Sequence, residues 1–129
     1  MMQAFLYLDL TQSTAFHQPV AEQVRQRFPQ VTVLDLDARS DELLQHYALR
    51  LLRESHRAVV CIKADGEATE LASIMPLLEE LFEEEKRRLV ILTGLQPRLQ
   101  RIFAARPHVA FKVVIEEEVV GEVKRFLEV

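Results

Sequence analysis

Five short β-rich runs alternate with five amphipathic stretches along this chain, and that alternation limits its fold more than any other feature. The runs are Ala4–Leu10, Val31–Asp37, Arg57–Ala64, Arg88–Thr93 and Val109–Ile115. Strands separated by helical patterns imply βαβ crossovers and a parallel sheet. No stretch rich in Gly, Ser or Pro interrupts the series, and 129 residues suit a single core. Residues 1–129 are therefore expected to form one α/β domain.

Periodicity outlines the helices. Val20, Val24 and Phe28 recur every fourth residue behind Pro19, which suits a first helical turn. Ser40 is a candidate cap for a second helix that would bury Leu44, Tyr47, Ala48, Leu51 and Leu52. A third pattern runs from Glu67 to Glu85 with Pro76 inside it. Proline removes a helix hydrogen bond, so either the helix kinks there or Pro76 begins it after a long loop. A short fourth helix opens near Pro97 with Leu99, Ile102 and Phe103, and a fifth carries Val119, Val123, Phe126 and Leu127.

Polarity orders the strands. The third and fourth runs are almost wholly apolar, as central strands covered on both faces must be. The second run alternates and includes Asp35, and the fifth carries Lys112 in its middle, which edge strands tolerate. The expected order is 2-1-3-4-5, a flavodoxin-like three-layer α/β/α arrangement.

Composition narrows the function. Hydrophobic residues at 49% and charged residues at 28% describe an ordinary globular chain, neither disordered nor membrane-embedded. No apolar run approaches the roughly 20 residues a membrane helix needs. The stretch MMQAFLYLDLTQST has no basic residue before its apolar part and no small-residue cleavage site, so it reads as a first strand. Cys61 is the only cysteine and lies in an apolar run, where it reads as a small buried hydrophobe in a cytoplasmic protein. Net charge is −4 with scattered basic residues, against nucleic acid as a partner.

Parallel strands bring their polar ends to one rim, where open α/β sheets bind ligands. The expected rim is Asp9, Asp65, Gly66, Thr93 and Gly94, with Glu67 and Glu70 on the following segment. Asp9 and Asp65 form a candidate site for weak magnesium binding, since hard cations take oxygen ligands. No other metal or organic cofactor is implied. TQSTAFHQ lacks the glycine of a phosphate loop, and of the histidines only His17 is placed to reach the rim.

With Asp9, Asp65 and Thr93 at those strand ends, the chain resembles response-regulator receiver domains. That resemblance implies an acid at Asp9, a phospho-acceptor at Asp65 and a hydroxyl at Thr93. It departs at Leu8, where receivers have a second acid, and at Glu116, Glu117 and Glu118, where they need a lysine. The departures point to a degenerate receiver-like scaffold without phosphotransfer. The segment AVVCIKADGEATELASI is similar to the rim of nucleoside deoxyribosyltransferases and Toll/interleukin-receptor-type glycohydrolases. That resemblance implies Glu70 as nucleophile or stabilising carboxylate and Asp65 as a sugar-binding or proton-handling acid.

Two functions remain in view: a non-catalytic partner-binding or signalling module, and an enzyme acting on the N-glycosidic bond of a nucleoside or nucleotide. For the first, Leu99, Ile102 and Phe103, rimmed by Arg98 and Arg101, are the candidate surface for a protein partner or a second copy.

Overall fold

The computed structural model describes residues 2–11, 19–37, 42–65, 74–83 and 86–128, with the side chains of Asp37 and Asp65 outside that description. Its strands are β1 (Gln3–Asp9), β2 (Thr32–Asp37), β3 (Arg57–Asp65), β4 (Arg87–Leu95) and β5 (Ala110–Val113). They form one all-parallel sheet in the order β2-β1-β3-β4-β5, as polarity predicts. The helices are α1 (Pro19–Arg27), α2 (Glu42–Glu54), α3 (Met75–Leu81), α4 (Pro97–Ala104) and α5 (Val119–Glu128).

The pleat divides the apolar residues between two layers. Leu6, Leu8, Val60, Ile62, Val90 and Leu92 pack under α2, α3 and α4. Phe5, Tyr7, Val59, Cys61, Leu89 and Ile91 pack under α1 and α5. The result is the flavodoxin-like three-layer arrangement. Buried on both faces, β3 and β4 need the near-continuous hydrophobicity that marks them in the sequence. Burial also pushes the Cys61 thiol pKa well up, so the cysteine behaves as a core hydrophobe.

Pro76 occupies the first turn of α3, where its missing N–H costs nothing, so the proline begins this helix. The Ser40 cap lies outside the described residues. In α2 the buried stripe is Ala48, Leu51 and Leu52 with Leu44 half-buried, whereas Tyr47 is exposed, contrary to expectation. Tyr47 falls on the shoulder of that stripe, one residue and a large rotation away from Ala48. Phe126 is likewise only half-buried, with the Arg87 guanidinium 5.9 Å from its ring centroid.

Two charged residues inside the fold have structural work. Arg88 is 3% exposed and donates to the carbonyls of Leu52 and Ser55, closing the C-terminal end of α2. Burial lowers its pKa, and Glu80 and Glu83 oppose that shift. At the β5 edge of the sheet, Glu122 of α5 accepts from Lys112 of β5 at 2.7 Å and from Arg125 at 2.6 Å. The edge strand is thereby fastened to the last helix.

The Lys112 hydrogen bond, followed by the charges of Lys112 and Arg125, holds the Glu122 carboxyl below the usual glutamate value of 4.5. A carboxyl with a lower pKa folded than unfolded stabilises the fold above its unfolded pKa. That contribution is lost as pH falls through the folded value. Glu122→Gln is expected to cost roughly 1 kcal/mol at neutral pH. The difference from wild type should shrink as urea midpoints are taken below about pH 4.5. A difference that stays constant through the acid range would contradict this role for Glu122.

Candidate functional site

Register decides which polar residues meet at the carboxyl rim. Asp9 pairs with Lys63 across β1 and β3, and Lys63 pairs with Thr93 across β3 and β4. One step earlier on the same face, Tyr7, Cys61 and Ile91 lie under α1 and α5. Side chains alternate along a strand, so Asp9, Lys63 and Thr93 continue that row on the α1–α5 side. The residue between Asp9 and Thr93 is thus Lys63, not Asp65 as expected from the ends of the runs. Asp65 pairs with Leu95, two residues or roughly 6.6 Å farther along the strand. Because β3 and β4 both extend past the row, their last residues do not mark it.

Asp9 is buried, and its Oδ1 accepts from the Thr11 amide at 3.0 Å and the Thr11 hydroxyl at 2.5 Å. This Asx-type turn ends β1. The register neighbour of Asp9 is the Lys63 ammonium, and the magnesium site expected at Asp9 and Asp65 turns on the Asp65 side chain, which lies outside the described residues. Among the described residues no three His, Cys, Asp or Glu side chains cluster to hold a metal.

A cleft of about 650 Å³ opens beside this row, between the ends of β3, β4 and β5. Such a volume suits a small molecule. Its polar lining is Thr11, Lys63, Thr93, Glu116 and Glu118, and its apolar wall is Val113, Val114 and Ile115. Glu116 begins a single 3-10 turn, Glu116–Glu118, that leads into α5. The Tyr7 hydroxyl donates to Glu116 Oε1 at 3.5 Å, and burial first, then nearby negative charge, raises the Tyr7 pKa. Gly94 floors the cleft with φ of +93°, the left-handed region that favours glycine.

Two lining groups have unused bonding capacity among the described residues. Thr93 is 6% exposed, and its Oγ1 has no hydrogen-bond partner there. Lys63 is half-buried and takes part in none of the ion pairs among the described residues. Sequence reasoning found Thr93 and missed Lys63. Its one visible signal was a cation inside the otherwise apolar run AVVCIKA.

Gly66, Glu67, Glu70, Ser13, Thr14 and His17 lie outside the described residues. The expected partner surface is corrected by burial: Leu99 and Phe103 are 0% and 2% exposed, and Ile102 is half-buried. Phe103 stacks on Phe111 of β5 at 5.1 Å between centroids and meets Phe82 edge-on at 5.9 Å. Those partners come from either side of α4 and take up the apolar excess that suggested a surface. Arg98 and Arg101 remain exposed, as does Leu95 at the end of β4.

Comparisons of the chain find no matching family model, no matching curated protein and no matching solved structure. No described helix is long and apolar enough to cross a membrane.

Proposed function

We propose that this chain is a non-catalytic binding or signalling module, a receiver-like scaffold without phosphotransfer, that takes a small polar ligand in its rim cleft. The observation that supports this most directly is the Thr93 hydroxyl, buried without a partner among the described residues and beside Lys63 in the sheet. An unsatisfied buried hydroxyl costs about 1–3 kcal/mol. Once the Thr93 side chain turns its buried hydroxyl toward the cleft, a ligand oxygen that accepts from it and from the Lys63 ammonium relieves that cost. The glycosidic-bond alternative rests on Glu70 and on Asp65, and no described side chain favours it.

Thr93→Val tests the reading because it removes the hydroxyl and keeps the shape. Without ligand, the variant is expected to be as stable as wild type or slightly more so. With a panel of small metabolites, stabilisation seen in wild type should be lost in Thr93→Val and in Lys63→Met. Thermal unfolding of the three proteins measures both effects. A ligand-free loss above about 1 kcal/mol in Thr93→Val would mean that the hydroxyl is already bonded, and the reading would fall.

A further inference from the structure

We infer that the rim cleft takes a small zwitterion of the amino-acid type, its carboxylate at Lys63 and Thr93 and its ammonium at Glu116 and Glu118. This rests on the reading of the cleft as a ligand site and adds the chemical class of the ligand.

Charge separation within one cleft carries the inference. The strand side presents a cation and a buried hydroxyl with no partner among the described residues, neighbours across β3 and β4. That pair suits a carboxylate, which accepts from both. The turn before α5 presents the carboxylates of Glu118 and of Glu116, whose Oε1 also accepts from the Tyr7 hydroxyl at 3.5 Å. That side suits a donor with positive charge.

Ligands of a single charge sign fit poorly. A phosphate or dicarboxylate satisfies Lys63 but faces two glutamates, and a polyamine satisfies the glutamates but faces Lys63. A neutral ligand uses neither the ammonium nor the carboxylates for a charged contact. A zwitterion answers both walls at once, which makes electrostatic complementarity the source of selectivity.

The remaining wall places the ligand's third substituent. Val113, Val114 and Ile115 line the cleft, with Ile115 60% exposed. A cleft of about 650 Å³ leaves room for an apolar or aromatic side chain against that wall. Aliphatic and aromatic amino acids are therefore the preferred probes.

The experiment is titration calorimetry of the intact chain with each of the common amino acids. N-acetyl and carboxamide derivatives of any binder are titrated next, then succinate, inorganic phosphate, putrescine and ribose. At least one aliphatic or aromatic amino acid is expected to bind. Blocking either of its charged groups should weaken binding at least tenfold, as should Lys63→Met and Glu116→Gln separately. The blocked ligands probe both charges without altering the protein, so misfolding of a variant does not obscure the result. Binding of succinate, phosphate, putrescine or ribose in place of amino acids, still dependent on Lys63 or Glu116, would overturn the zwitterion and leave the ligand-site reading standing. An amino acid that binds equally well when blocked, or to both variants, would overturn the inference. No binding by any of these compounds would remove both readings.

Discussion

Gly94→Ala is expected to destabilise the fold by about 3 kcal/mol or more, a fall in Tm on the order of 10 °C. A Cβ at this position would stand 1.8 Å from the Ala64 carbonyl oxygen and 3.1 Å from its carbon. Those atoms are backbone in the paired strand, so relief requires β3 and β4 to move apart. The backbone φ of +93° adds strain for any L side chain. Because the clash lies one residue from the Lys63–Thr93 pair, the same substitution should also abolish ligand binding. Gly121 supplies the control. It lies in α5, and a Cβ there would meet nothing within 4 Å, so Gly121→Ala should stabilise by roughly 0.5–1 kcal/mol. Thermal or urea unfolding measures both. Equal stability of Gly94→Ala and wild type would show that the strands do not approach as described.

Phe103→Ala is expected to cost about 3–5 kcal/mol, the range for emptying a large aromatic site in a core. The ring is 2% exposed, stacked on Phe111 and meeting Phe82 edge-on. Its removal takes away both aromatic contacts and leaves a cavity between α3, α4 and β5. Arg101→Ala, on the exposed side of the same helix, should change stability by no more than about 0.5 kcal/mol. Urea unfolding distinguishes a core role for Phe103 from a surface role. A loss under about 1 kcal/mol would return Phe103 to the surface and revive its use as a docking residue.

Much of the fold was legible in the residues. Asp35 and Lys112 mark the edges of the sheet because an edge strand keeps a mid-strand charge in contact with water. Pro97 marks the start of α4 because proline suits a first helical turn, and the Gln96 side chain completes the cap by accepting from the Arg98 amide. Pro76 left two readings open, since a proline inside a helical pattern permits either a kink or a start. The structure places it in the first turn.

The rim was legible as a place but not as a set of neighbours. Thr93 and Gly94 stand out after an apolar run and do line the cleft. Asp65 stands out equally and pairs beyond the row, while Lys63, hidden inside its run, sits between Asp9 and Thr93. Glu116 and Glu118, read as a departure from receivers, turn out to form one wall of the cleft.

Periodicity, caps and strand polarity are properties of residues close together in the chain, and these the sequence determined by itself. Register and burial depend on segments far apart. Lys63 meets Thr93 only because β3 and β4 pair from Arg57 and Arg87 onward. Phe103 is covered only because Phe82 and Phe111 arrive from either side of its helix. Those long-range contacts set the chemistry of the cleft, and the tertiary structure alone decided them.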